Sequence, residues 1–363
     1  MFKKFQKKIA VNLITGSLGA GKTTLLRQLI TQKPPEENWT ILVNEFGAIG
    51  IDGSIFKSEQ SLENNHLQIE QIPGGCICCT AQNELKESIQ NIMQNSELDR
   101  LFIEPTGLGE PDTLVDLLQS QFFQDHFDIQ TIFTVIDSAT MTLKEIKQYT
   151  ILQNLFTMAD VIVLNKSDIA SAENVTALQD HASNLFPAKL AVITTSQAHV
   201  DIELINKSSA NRTPNSNLLK QHHNQSYKQS QTSTESFHSS SKPVELKSSV
   251  VLPGLVTRQV QTQLSTRSIG WIFDSSIVFD WSALQSLFKS FSEQEALAKP
   301  KRAKGVFRVG KPWMLFQWVS DQATREYIAY RQDSRIELLL PENSTFDIQN
   351  FESNLKNTIK KDK

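Results

Sequence analysis

The sequence has little cysteine, almost no surplus charge and no long apolar run, and each shortage excludes something. Only 3 of its 363 residues are cysteine, and all lie in one stretch, at Cys76, Cys78 and Cys79. A secreted disulfide framework needs cysteines spread along the chain, so that class is excluded. Lys and Arg number 36 against 39 Asp and Glu, a net charge of −3. That balance argues against wrapping nucleic acid by bulk charge. Mean hydropathy is −0.29, and no segment approaches the ~18 apolar residues of a membrane span. Lys3, Lys4, Lys7 and Lys8 precede an apolar stretch that is too short for a secretory leader and lacks its cleavage site. The expectation is a cytoplasmic protein with neither nucleic acid nor membrane as a partner. Thiols in that compartment stay reduced and available as ligands.

At roughly 150 residues per domain the length suggests about two domains, enough to bury full cores without disulfide or metal staples. Residues 9–15, 40–44, 100–104, 131–137, 161–165 and 191–195 read as buried strands, short, rich in Val, Ile and Leu, and bounded by turn residues. Helical patterns at 23–31, 83–95, 113–121 and 172–184 alternate with them. This alternation predicts an α/β fold, a doubly wound and mostly parallel sheet covered on both faces. Residues 208–248 are rich in Ser, Gln, Asn and Lys and poor in aliphatics, which reads as a polar linker. It carries His222, His223 and His238 without ligand-like spacing. Beyond it, strands are expected at 270–280, 305–319 (with a turn at Gly310-Lys311-Pro312) and 335–340, and helices at 281–298 and 346–360. The predicted division is 1–207, a linker at 208–248, and a smaller α+β domain at 249–363. No internal repeat is visible.

The first strand runs into Gly16-Ser17-Leu18-Gly19-Ala20-Gly21-Lys22-Thr23-Thr24 and then a helix. This is G-x-x-x-x-G-K-[ST] in the strand–loop–helix context it requires. The glycines let successive backbone N–H groups point at phosphate oxygens, and the helix N-terminus adds its positive end. Lys22 is expected to reach the β- and γ-phosphates, and the Thr23 hydroxyl to ligate Mg²⁺. Downstream, a buried strand ends in Asn165-Lys166-Ser167-Asp168. An Asp168 carboxylate accepts from the guanine N1–H and exocyclic amine, donors that adenine does not offer there. Lys166 would cover the ring with its stem, and Asn165 would hold the phosphate loop and the base together. Thr194, Thr195 and Ser196 follow the next strand, where a backbone N–H can meet the guanine carbonyl.

Pro73-Gly74-Gly75-Cys76-Ile77-Cys78-Cys79-Thr80 places three thiols between glycines and a helix. Such a C-x-C-C loop can converge on one soft cation such as Zn²⁺, with a fourth ligand from elsewhere. A redox pair and inert buried thiols are the alternatives. Loops after the second and third strands, Asn44-Glu45-Phe46-Gly47 and Glu104-Pro105-Thr106-Gly107, belong to the same end of a doubly wound sheet. Glu104 can hold a Mg²⁺-bound water, Gly107 can offer its N–H to a γ-phosphate, and Glu45 is a candidate metal ligand.

Together, GSLGAGKTTLL, VNEFGAIGIDG, GGCICCT, EPTGLGEP and LNKSD, in that order, resemble the CobW family of P-loop GTPases, metallochaperone relatives of the urease and hydrogenase accessory GTPases. GWIFDSSIVFDW, RAKGVF and DSRIEL extend the resemblance past the linker, where the chain is most similar to the YeiR-type zinc-binding members. The resemblance implies a P-loop NTPase fold, GTP hydrolysis at the β–γ bond, and Zn²⁺ or a related metal such as Co²⁺ or Fe²⁺ on the C-x-C-C motif. It also implies communication between metal and nucleotide, and a client metalloprotein as partner, with a homo-oligomer compatible. Glu104 matches the glutamate that the family carries on its Mg²⁺-side strand. Many relatives carry acidic residues on both sides of the N-E-F-G core. Here Val43 and Ala48 stand there, leaving Glu45 as the local candidate; His126, the other donor near in sequence, reads as a surface or core histidine rather than a ligand.

Overall fold

A computed structural model describes residues 7–45, 66–73, 81–94, 97–105, 111–206, 244–263, 266–330 and 332–360. The chain divides into two compact units, Met1–Leu185 with Lys189–Ser209, and Phe186–Ala188 with Ala210–Lys363.

The first unit is built on seven parallel strands. They are β1 (Ile9–Gly16), β2 (Trp39–Glu45), β3 (Leu67–Pro73), β4 (Arg100–Glu104), β5 (Phe127–Asp137), β6 (Val161–Asn165) and β7 (Ala191–Thr194). Their order across the sheet is β3-β2-β4-β1-β5-β6-β7. Parallel neighbours cannot be joined by tight turns, so helices cross between them and cover both faces. The crossovers are α1 (Lys22–Thr31), α2 (Ala81–Met93), α3 (Pro111–Leu118), α4 (Leu143–Gln148), α5 (Thr150–Met158) and α6 (Ala172–Ser183). On one face Leu25, Leu26 and Leu29 of α1, at helical spacing, pack on Ile14, Phe133, Val135 and Val163. On the other, Ile146, Phe156 and Leu178 pack on Ile136, Ile162 and Leu164. Each such side chain contributes ~1.5–3 kcal/mol of burial.

Asn12 is fully buried in this apolar sheet. Its amide donates to Thr131 O and Ile205 O, both at 3.0 Å, and its carbonyl accepts from the Arg100 guanidinium at 2.6 Å. Arg100 also bonds Asn206, so this network secures the short 3₁₀ turn Ile202–Asn206 to the N-terminal side of the sheet.

The second unit has a seven-stranded antiparallel sheet in the order β13-β12-β11-β14-β10-β9-β8. Its strands are β8 (Val244–Glu245), β9 (Leu255–Gln263), β10 (Thr266–Phe273), β11 (Arg302–Arg308), β12 (Trp313–Val319), β13 (Gln322–Ile328) and β14 (Ser334–Pro341). Two helices, α7 (Trp281–Ser290) and α8 (Ile348–Asn357), pack on one face. Each begins at an aspartate whose carboxylate accepts backbone N–H groups of the first turn, Asp280 and Asp347, caps worth ~1 kcal/mol each. Leu284, Leu287 and Phe288 of α7 and Phe351 and Leu355 of α8 meet Trp271, Phe273, Phe307, Phe316 and Trp318 in an aromatic core.

The structure corrects several expectations. The strand expected over 270–280 stops at Phe273, because Asp274 turns the chain by accepting Ser276 N–H at 2.8 Å and Ile277 N–H at 3.1 Å. The helix expected over 281–298 ends at Ser290 and tightens into a 3₁₀ turn, Phe291–Glu293, that buries Phe291. The helix expected over 346–360 spans Ile348–Asn357. The end of the expected linker is structured, since Val244 and Glu245 pair with Val260 and Gln259. Strands β3, β9 and β13 and helices α4 and α5 were not anticipated. No helix among the described residues is long and apolar enough to cross a membrane.

Candidate functional site

All seven strands of the first sheet point the same way, so the loops after them emerge at one edge. Reading across that edge from β3, the chain leaves Pro73 toward the cysteine loop, and Glu45 of β2 lies in register with Pro73. Glu104 of β4, in register with Val43, comes next, then Gly16 of β1 with the phosphate loop. Asp137 of β5, Asn165 of β6 and Thr194 of β7 complete the edge. The end of β3 is three strands from β1, ~14 Å at the usual spacing.

The phosphate loop depends on glycine at named points. Gly16 has φ +137°, and a Cβ there would lie 2.1 Å from Val135 O. Gly21 has φ +106°, and a Cβ there would lie 2.3 Å from Asn165 Nδ2. Gly19 also has positive φ, and Ser17 O accepts from Ala20 N–H at 3.2 Å. Helix α1 starts directly at Lys22 and has no acidic residue in its first turn, which leaves its positive end suited to an anion. Lys22 is buried and its ammonium donates to Ser17 O at 3.1 Å, within the loop. The Thr23 hydroxyl lies 3.5 Å from Glu104 Oε1, and Glu104 is buried. Thr23 and Glu104 are therefore brought together as hard oxygen donors, the donor type Mg²⁺ takes. Thr24 follows in the first turn of α1.

Asn165 joins three loops. Its Nδ2 donates to Ala20 O at 2.8 Å, and its Oδ1 accepts Ala198 N–H at 2.8 Å. Its backbone carbonyl accepts Ser138 N–H at 2.9 Å. The next residue, Lys166, adopts φ +58°, and its ammonium meets Asp137 Oδ2 at 2.6 Å. Burial pushes the Asp137 carboxyl up, but the hydrogen bond from Lys166, the Ala139 amide and the Lys166 charge outweigh it and hold the group below its ordinary value. Asp168 is exposed at the rim. Thr195 gives its N–H to Leu164 O at 2.9 Å, so it cannot be the amide that meets a base carbonyl. Thr194, the last residue of β7, and Ser196 remain of the three candidates.

Sequence reasoning missed Asp137 and Ala198. Asp137 had a signal, since it ends an apolar strand as Glu104 does. Ala198 had none, because its part is played by a backbone N–H.

Cys76, Cys78, Cys79 and Gly107 lie outside the described residues, as do Ala48 and the linker histidines. Glu45 is described as the last residue of β2. Among the described residues no group of three or more His, Cys, Asp and Glu could hold a metal. His126 precedes β5, and its carbonyl accepts Ile9 N–H at the start of β1. That places it at the opposite edge of the sheet from the strand end at Pro73, in keeping with a structural histidine rather than a ligand.

The family model for the CobW/HypB/UreG nucleotide-binding domain matches residues 10–194. The zinc chaperone YeiR of Escherichia coli (strain K12) is 29% identical over 350 residues, covering 90% of this chain and 92% of that protein. The zinc chaperone YjiA of the same organism is 30% identical over 203 residues, 54% of this chain and 60% of that protein. A solved structure, that of the Zn(II)-bound YjiA GTPase from E. coli, is similar at 18% identity, covering 98% of this chain and 100% of that one with a TM-score of 0.42.

Proposed function

The chain belongs to the CobW/HypB/UreG family, and from that premise we propose that it is a GTPase that binds zinc and couples GTP hydrolysis to the binding or delivery of the metal to a client protein. The observation that carries this reading is the single sheet edge. There Asn165 ties the base loop to the phosphate loop, and the strands ending in Glu104, Glu45 and Pro73 lie side by side, Pro73 being three residues before Cys76 in the sequence. The names of the YeiR and YjiA relatives, both zinc chaperones, support zinc as the cargo.

In this reading the backbone N–H groups of Gly16, Ser17, Gly19, Ala20 and Gly21 and the start of α1 hold the phosphates. Lys22 exchanges the Ser17 carbonyl for the β- and γ-phosphate oxygens, and Gly107 donates its N–H to the γ-phosphate. Asp168 accepts from guanine. Thr23 and Glu104 would hold Mg²⁺, which when bound supplies positive charge beside the transferring phosphoryl group. Water attacks the γ-phosphorus in line, the β–γ bond breaks, and GDP and phosphate leave. Catalysis by this chain is then positioning and charge stabilisation. Cys76, Cys78, Cys79 and Glu45 are the proposed zinc ligands. Any change in zinc affinity on hydrolysis requires zinc to change nucleotide affinity by the same factor. The proposed domains are 1–207, 208–248 and 249–363, with Val244 and Glu245 of the middle segment paired into the second sheet.

The test is metal analysis of protein purified without added metal, combined with GTP turnover measured across a metal series. Stoichiometric zinc that is lost in Cys78→Ser, with GTP binding retained, is expected. Unchanged zinc stoichiometry in Cys78→Ser would overturn the cluster assignment. Phosphate release no higher than in Lys22→Ala, with and without zinc, would make the protein a nucleotide-regulated carrier instead of an enzyme.

A further inference from the structure

We infer that Asp137 is a positioning residue for guanine, holding the Lys166 ammonium so that the lysine stem, and not its charge, is presented to the base. The inference rests on the guanine-nucleotide reading above and deepens it at the base side.

Lys166 is one of only four non-glycine residues among those described that have positive φ. That backbone region costs a non-glycine residue ~1 kcal/mol or more and persists only where its surroundings enforce it. Backbone bonds hold it, Ser167 N–H to Thr195 O at 3.1 Å and Ile169 N–H to Lys166 O at 3.3 Å, and a brace on the β5 side holds its side chain. The Lys166 ammonium lies 2.6 Å from Asp137 Oδ2, while Asp137 Oδ1 accepts Ala139 N–H at 3.0 Å. Asp137 is only 6% exposed, so its carboxylate is held away from water.

The brace is itself anchored. Met141 N–H donates to Asp137 O at 2.9 Å, closing the turn after β5. Asn174 of α6 donates through Nδ2 to Ser138 O and Met141 O, both at 2.8 Å. Ser138 N–H reaches Asn165 O, so the turn grips the base loop through backbone and side chain together. A free lysine on a loop would carry its full rotamer entropy to the ligand and lose it on binding. Here Asp137 fixes Lys166 beforehand, and its charge is already answered within the protein. The lysine's contribution to the base is then contact by its methylenes.

The experiment uses the full chain and two ligands, GTP and inorganic tripolyphosphate, each with Mg²⁺, titrated by calorimetry. Asp137→Ala should weaken GTP about tenfold, the scale of a pre-organisation loss, and leave tripolyphosphate, which has no base, within about twofold. Lys166→Met should weaken GTP to a similar degree. The double variant Asp137→Ala/Lys166→Met should be no weaker than Lys166→Met alone, because both changes remove one interaction. Equal loss for both ligands would show damage to the fold and overturn the proposal. Unchanged GTP affinity in Asp137→Ala, or losses that add in the double variant, would also overturn it. If the unmodified protein binds ATP as tightly as GTP, the guanine reading fails first, a result that none of the variant outcomes can mimic.

Discussion

The first sheet runs all its strands one way and the second alternates them, and the two units place their polar side chains accordingly. Parallel strands need crossovers, which cover both faces with helices and bring every strand's C-terminal end to one edge. Apart from the structural network of Asn12, Arg100 and Thr131, that edge is where buried polar residues meet: Glu104, Asp137 and Asn165 at strand ends and Lys22 at the start of α1. Antiparallel strands distribute their ends to both edges, so no edge collects the loops. In the second unit the polar residues sit within the strands and helices themselves, as with Lys304, Arg335, Glu337 and Glu352. Substitutions in the first set should therefore be read through ligand binding, and those in the second through stability.

Gly16→Ala should give the largest effect and break the first unit at its edge. The added Cβ meets Val135 O, a backbone atom of the neighbouring strand that cannot step aside, and φ is already left-handed. The expected cost exceeds ~4 kcal/mol. GTP binding by calorimetry should be lost. Retained binding near the unmodified affinity would mean that the loop tolerates far more movement than its packing indicates.

The opposite signature is expected for Glu352→Ala. Glu352 of α8 is fully buried and accepts Trp271 Nε1–H at 2.7 Å and the Arg258 guanidinium at 3.2 Å, with the Ser248 hydroxyl also bonded to it. Removing it strands Arg258 NH1 and the indole N–H, at a cost of ~3 kcal/mol. Four of the five tryptophans, Trp271, Trp281, Trp313 and Trp318, lie in the second unit, so tryptophan fluorescence in urea reports mainly on it. The midpoint should fall while GTP affinity stays within about twofold. A collapse of GTP affinity at a temperature where the second unit stays folded would end the separation drawn between the sheets.

The same contrast explains what the sequence disclosed. Strand β1, its loop and α1 were legible because their chemistry is local, with a buried apolar run followed by Gly, Lys and Thr at fixed spacing. The edge strands β3 and β13 were not, because Leu67–Pro73 and Gln322–Ile328 mix polar residues into faces only partly covered. β9 likewise carries Thr257, Gln259 and Gln261 along one face. Asp137 was missed because its partner Lys166 is 29 residues away. Only the parallel register of β5 with β6, Asp137 beside Asn165, brings them together. The Cys loop offers a spacing of thiols but lies outside the described residues, and the fourth ligand of the proposed site would depend on contacts that no spacing encodes. His126, read as a structural histidine, lies at the other edge of the sheet, where its carbonyl accepts Ile9 N–H.

Glu337→Gln should give the smallest effect and sharpen the comparison most narrowly. Glu337 lies in register between Lys304 of β11 and Gly270 of β10. Burial pushes its carboxyl up to about 7, against the pull of Arg335 and Lys304. Arg335 is already engaged by both oxygens of Asp333, each at 2.6 Å. Lys304 is lowered to about 8, mainly by burial, so between pH 5 and 7 it stays largely charged and Glu337 is the member of this pair that titrates. A raised carboxyl pKa means that the folded protein holds a proton the unfolded chain has released. The stabilisation it brings is full below the ordinary value of 4.5 and is lost as pH rises through about 7. This group's share of the stability should fall by roughly 2 kcal/mol across that window, several degrees in Tm. Glu337→Gln keeps the shape without the proton equilibrium, so its Tm should vary less over the same range. Equal slopes in the two proteins would mean that the carboxylate is ionised in the sheet, with Lys304 as its full counterion.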